Sequence, residues 1–135
     1  MTSAREVDQQ KLVEVLVGEL SGLETPEWTA FVKTGVSRER QPEQKDWYHF
    51  RAASVLRKIY LSGPVGTQKL RTYYGGLHRR GHKPAHFARG GGKLIRTILQ
   101  QLENNGYVSK ADKKGRVITP KGQKLVDHAA KKVKK

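Results

Sequence analysis

From Asp46 to Gly66 the chain reads DWYHFRAASVLRKIYLSGPVG, and this stretch limits the fold more than any other. Asp46 is placed to cap a helix and Gly63 to end it, which predicts a helix over Trp47–Leu61. Ala52, Val55, Leu56, Ile59 and Tyr60 then share one face. The GPVG that follows forces an abrupt turn. Thr67 caps a second, short helix to about Tyr73, closed by Gly75-Gly76. A long amphipathic helix, a sharp turn and a short helix make the first half of a helix-turn-helix core.

The flanking segments extend this pattern. Downstream, Leu94, Ile95, Ile98, Leu99 and Leu102 form the stripe of a helix from about Gly91 to Asn104, with Asn105-Gly106 as its C-cap. Tyr107-Val108 and Val117-Ile118 flank a turn containing Asp112 and Gly115, which reads as a β-hairpin. Thr119-Pro120 starts a last helix to about Val133. Upstream, Leu12, Val13, Leu16, Val17 and Leu20 predict a helix over Gln9–Ser21, with Asp8 as cap and Gly22 as terminator. TPEW, from Thr25, opens a short helix to about Lys33, and residues 35–45 form a polar connection. Residues 75–89 show no period and read as a loop. Trp28, Phe31, Trp47 and Phe50 are assigned to the core. The expected class is mainly α: a winged helix-turn-helix core with a small β-hairpin wing and extra N-terminal helices. At 135 residues, 1–135 is expected to be a single domain. A chain this long buries about two-thirds of its unfolded surface.

Charge narrows the function. The chain has 27 Lys+Arg against 12 Asp+Glu, a net charge of +15. Residues 1–45 are close to neutral, with 6 basic and 8 acidic side chains. Between Asp46 and Glu103 lie 56 residues with 11 Lys or Arg and no acid. Solvated surfaces normally mix signs, so an acid-free stretch of this length points to a polyanion, with nucleic acid as the first choice. A membrane surface fits less well, because no long basic helix carries a broad aromatic face. The apolar runs are too short to span a bilayer. The chain has no cysteine, which removes disulfides and thiolate metal sites. MTSAREVDQQ lacks a basic start followed by an apolar stretch, so no secretory signal is expected.

The densest candidate segment is YYGGLHRRGHKPAHFARGGGK, Tyr73 to Lys93. His78, His82 and His86 have the spacing of ligands on one helical face. Gly81 and Pro84 interrupt such a helix, and Arg79, Arg80, Lys83 and Arg89 repel a divalent cation, so no metal is expected. GGGK resembles the end of a phosphate-binding loop. However, the position of its first glycine holds Phe87, and Leu94 stands where a hydroxyl is required. What remains is a glycine-rich helix start, where backbone N–H groups and the helix dipole favour a phosphate. Carboxylates are sparse outside the N-terminal third and no nucleophile-elbow pattern occurs, so no enzyme, cofactor or small-molecule substrate is expected. The candidate RNA-binding residues are Arg51, Arg57, Lys58, Lys69, Arg71, Arg79, Arg80, Lys83, Arg89, Lys93 and Arg96. Tyr73, Tyr74 and Phe87 are candidates to touch nucleic acid beside them.

PEW at 26–28, the 46–66 block, YYGG at 73–76, HFARG at 86–90, LQQLE at 99–103 and GRVITPKGQKLVD at 115–127 carry a resemblance. In unbroken order over nearly the whole chain, they resemble the ribosomal protein S19e family of archaea and eukaryotes. The compact size and short linkers are more like the archaeal members. The resemblance implies an all-α protein on a winged-helix core, placed in the head of the small subunit and bound to rRNA. It also implies a part in small-subunit assembly and pre-rRNA maturation. The family's basic positions fall on Arg51, Arg57, Arg89 and Arg96. Gly90-Gly91-Gly92 departs from the family's more helix-favouring, serine-containing start, which leaves the start of that helix open.

The sequence therefore leads to a cytoplasmic, ribosome-associated protein that meets small-subunit rRNA and neighbouring small-subunit proteins and is monomeric when free. The rival is a winged-helix transcription regulator on duplex DNA, reading bases with Lys93, Arg96, Gln100 and Gln101. Winged helices also bind proteins, so the fold alone does not decide between them.

Overall fold

The computed structural model describes residues 5, 7–20, 23, 25–26, 28, 47–80, 83–111 and 115–134. In chain order these form α1 (Gln9–Glu19), α2 (Trp47–Ser62), α3 (Thr67–Tyr73), β1 (Gly76–Arg80), β2 (Lys83–Ala88), α4 (Gly92–Asn104), β3 (Val108–Ala111), β4 (Gly115–Ile118) and α5 (Pro120–Lys134). The fold is mainly helical. Helices α2, α3 and α4 with the β3–β4 wing make the winged-helix core, and α1 and α5 pack against α2.

The α2 helix forms where its stripe predicts, and Gly63 ends it at φ 74, donating its N–H to the Ile59 carbonyl at 3.0 Å. The expected cap, Asp46, lies outside the described residues. All five stripe residues of α4 are buried. Its end is a Schellman turn: Gly106, at φ 82, donates to Glu103 O, and Tyr107 to Leu102 O, each at 3.0 Å. Thr119 caps α5, accepting a hydrogen bond from the Gly122 N–H at 3.2 Å and donating its hydroxyl to Gly106 O. Asp8 occupies the N-cap position of α1 but makes no side-chain cap bond.

The core is one cluster that joins Leu12, Leu16 and Leu20 of the N-terminal segment to α2, α4 and α5. Tyr48, not Trp47, is the buried aromatic at the start of α2. Its hydroxyl donates to Gln101 Oε1 of α4 at 2.6 Å. Trp28 and Trp47 are half-buried and pack against the cluster, and Phe50 is half-buried. Phe31, Gly22, the 35–45 connection and most of the TPEW helix lie outside the described residues.

Two results correct the sequence reading. Residues 75–89 are not a loop. They hold the antiparallel hairpin β1–β2, with Leu77 opposite Phe87 and His78 opposite His86. Each strand has too few apolar positions to show an alternation, and the connection lacks the Asn-Gly or Asp-Gly signal of a tight hairpin. The resemblance's all-α expectation therefore becomes a helical fold with two hairpins, one of them inserted between α3 and α4 of the core.

The wing is anchored at its base. Val65, in the GPVG turn, exchanges two backbone hydrogen bonds with Arg116 of β4, at 2.9 and 2.8 Å. The Arg116 Nε also reaches Glu103 Oε2 at 3.2 Å. So GPVG provides more than a turn: it supplies the edge onto which the wing pairs.

Candidate nucleic-acid interface

On α2 the cations lie over aromatic rings. The Arg51 guanidinium carbon lies 4.1 Å from the centroid of Tyr74, and the Lys58 Nζ lies 4.3 Å from that of Tyr73. The two tyrosine rings meet edge to face at 4.9 Å. Tyr74 also shares a 2.6 Å hydrogen bond with Ser54. Burial pushes its phenol up to about 12, against the opposing effects of the Ser54 bond and the Arg51 charge. Arg57 is half-buried, and its Nε is a buried donor with no hydrogen-bond partner among the described residues.

The α3–α4 side gathers a second group around Gln68. The Gln68 Oε1 accepts from Arg89 at 2.9 Å and from Arg71 at 3.3 Å. Arg71 also donates through Nε to the Gly90 carbonyl at 2.8 Å, while the Gly90 N–H donates to the Arg71 carbonyl at 2.8 Å. Arg71 therefore fastens α3 to the glycine-rich entry of α4. A Cβ on Gly92 would come within 3.2 Å of the Arg96 Nη1 and 3.4 Å of the Arg71 Nε, which places both guanidiniums against that entry. Helix α4 begins at Gly92 with Gly91 as N-cap, no side-chain cap and no acid in its first turn. Lys69, Lys93 and Arg96 are exposed, and the Lys93 Nζ stands 4.6 Å from the Trp28 ring.

The backbones of Arg79, Arg80 and Lys83 sit at the far end of the β1–β2 hairpin, with Arg80 opposite Lys83. Their side chains, with those of His78 and His86 and the whole of His82, lie outside the described residues. The hairpin sets His78 against His86 as cross-strand partners, not on a shared helical face. Among the described residues no group of three or more His, Asp or Glu could hold a metal ion. The ion pairs Arg116–Glu103 and Lys132–Glu19, both between described residues, involve none of the eleven candidate cations. No described helix is long and apolar enough to cross a membrane. Away from these cations, Tyr107, Lys121, Lys124, Leu125 and His128 line an open groove of about 500 Å³.

Sequence reasoning missed Gln68, which holds Arg71 and Arg89 together, and the rings that seat Arg51, Lys58 and Lys93. The Gln68–Arg71 pair is three residues apart on α3, a spacing the sequence offered. The Gln68–Arg89 bond and the ring contacts join residues far apart in the chain, where spacing gave no signal. Gln101, a base reader in the regulator hypothesis, instead accepts the Tyr48 hydroxyl.

The family model for ribosomal protein S19e matches residues 3–135. The chain belongs to this family. A protein named "Small ribosomal subunit protein eS19" from Aeropyrum pernix is 42% identical, over 98% of this chain and 90% of its own length. One of the same name from Haloarcula marismortui is 42% identical over 96% of this chain and 90% of its own length. "Small ribosomal subunit protein eS19G" from Ascaris suum is 42% identical over 98% and 93%. In this S19e chain the segments that carried the resemblance turn out to be junctions. GPVG pairs with the wing, YYGG carries the ring pair into β1, and HFARG runs along β2 to the Gly90–Arg71 contact.

Proposed function

We propose that this S19e chain is a structural protein of the small ribosomal subunit, bound to rRNA in the head region through the basic face of α2, α3, the β1–β2 hairpin and the start of α4. The observation that carries this reading is the run of 11 cations without an acid between Asp46 and Glu103. The contacts around Gln68 and the tyrosine pair support it, by drawing cations from α2, α3 and the α4 entry onto connected elements. Phosphate contact by such a face releases condensed counterions, so affinity falls steeply with salt. Arg51, Arg57, Lys58, Lys69, Arg71, Arg79, Arg80, Lys83, Arg89, Lys93 and Arg96 are the proposed RNA-binding set. The protein acts as one domain, 1–135, monomeric when free. It works in the cytoplasm with neighbouring small-subunit proteins, and supports subunit assembly and pre-rRNA maturation without catalysis of its own.

Sucrose-gradient fractionation of a cell lysate tests the placement. The protein should sediment with small subunits at physiological salt, and recovery at the top of the gradient refutes the reading. Replacing Arg57, Arg89 or Arg96 by Ala should weaken incorporation in competition with the parent while circular dichroism stays unchanged. Equal incorporation removes that residue from the set.

A further inference from the structure

Two large apolar side chains stand out in water among the described residues: Tyr73, 47% exposed, and Phe87, 55% exposed. They belong to different elements, the end of α3 and β2, which adjoin at Gly75. A Cβ on Gly75 would stand 2.8 Å from the Phe87 Cζ, so the tip of that ring lies over Gly75, two residues beyond Tyr73. Gly75 leaves room for the ring there because it has no side chain.

Neither ring is a loose surface residue. Tyr73 carries the Lys58 ammonium 4.3 Å from its centroid and meets the edge of Tyr74, which is itself held by Ser54 and Arg51. Phe87 sits opposite Leu77 in the hairpin register, two residues before Arg89, which is anchored on Gln68. Both rings thus stand on elements that also carry the acid-free cations, and they keep about half their surface in water.

Phosphates have no use for an exposed phenyl ring, and a continuous RNA duplex hides its base faces inside its own stack. An unpaired base offers a π-face that stacks on an aromatic ring whatever its identity. Resting on the proposed RNA-binding role, we infer that Tyr73 and Phe87 form a stacking platform for unpaired RNA nucleotides, with Lys58 and Arg89 beside it to take their phosphates. The face then has two functions: the cations hold the backbone anywhere along it, and the platform selects a bulge or single strand next to a duplex.

The test uses the full chain and two RNA probes, a 12-base-pair duplex and the same duplex with a two-nucleotide bulge containing 2-aminopurine. Phe87→Leu and Tyr73→Leu keep apolar bulk and remove the π-face, and a melting curve verifies each fold. The parent should bind the bulged probe more tightly and change its 2-aminopurine fluorescence. Each variant should lose about tenfold on the bulged probe, lose the fluorescence change, and bind the plain duplex as before. Variants that match the parent on the bulged probe, while the parent binds both RNAs, overturn the platform and leave the RNA-binding role standing; the rings would then cover a neighbouring protein. Equal losses on both probes also overturn it. A parent that binds neither RNA at low salt overturns the platform and the RNA-binding role together.

Discussion

Gly115→Ala should be among the most damaging single-methyl changes in the protein. Gly115 begins β4 at φ 90, where an L side chain costs about 1–2 kcal/mol. A Cβ there would also press into the GPVG turn, against the Val65 carbonyl oxygen, 2.5 Å from its carbon and 2.6 Å from the Gly66 nitrogen. All three atoms are backbone, so the strand must retreat by roughly 1 Å to reach ordinary contact distance. That retreat breaks the two hydrogen bonds between Val65 and Arg116, worth about 1 kcal/mol each, and loosens Val65, which is 1% exposed. The expected loss is about 3–5 kcal/mol, a drop of roughly 12–20 °C in melting temperature for a chain of this size. Gly63→Ala is the matched control. Its φ is 74, but no atom lies within 4 Å of the added carbon, so it should lose only about 1–2 kcal/mol. Urea unfolding followed by far-ultraviolet circular dichroism measures both. Equal losses would refute the clash, and with it the claim that GPVG is the anchor of the wing.

Other outcomes follow from the same geometry. Leu99→Ala opens a cavity under a fully buried position of α4 and should lower stability by about 2–5 kcal/mol in the same urea assay. Arg57→Ala removes a guanidinium whose Nε has no partner among the described residues, so the melting temperature should barely move; the slope of log affinity for an RNA duplex against log salt should fall by about one. Burial pushes the phenols of Tyr48 and Tyr74 up to about 12 from 10.0. Because the folded values are raised, the unfolded chain ionises first, so the two phenols' contribution to stability is constant below about pH 10 and is lost between about 10 and 12. Urea midpoints across that range should show the fall, and Tyr74→Phe should reduce it.

What was legible in the sequence was local. The α4 stripe, the Asn105-Gly106 cap, Thr119 at the start of α5 and Gly63 at the end of α2 each rest on residues within a turn of one another. The assignment of Trp47 to the core misread a legible pattern: Tyr48, four residues before Ala52 and seven before Val55, lies on the apolar stripe of α2, whereas Trp47 aligns with Arg51 and Ser54 on the other face. What was illegible depended on the partner. What the partner alone supplies is Gln101 on α4, which accepts the Tyr48 hydroxyl across the core. The β1–β2 hairpin has little apolar content of its own. It is anchored at its end by the Gly90–Arg71 backbone contact, which no window of neighbouring residues contains. The acid-free run was visible at once, but not the sorting of its members.

That sorting bears on how a basic surface should be read. Equal positive charges in a sequence imply equal claims on a polyanion, but here part of the charge is fixed in place before any partner arrives. Arg71 is turned onto the Gly90 carbonyl, and Arg116 is turned onto Glu103. Arg51 and Lys58 rest on rings that they help to orient. Such a contact satisfies a cation without neutralising it, because a carbonyl or a π-face carries no net charge. Arg71 and Lys58 therefore still contribute to the positive potential of the face while their positions are set from within. Arg116 does not, since the Glu103 carboxylate cancels it. The distinction separates the cations of the interface from those of the scaffold by the kind of acceptor each one finds. On that criterion, the absence of acids from 47 to 102 keeps the internal ties from consuming the charge that binding requires.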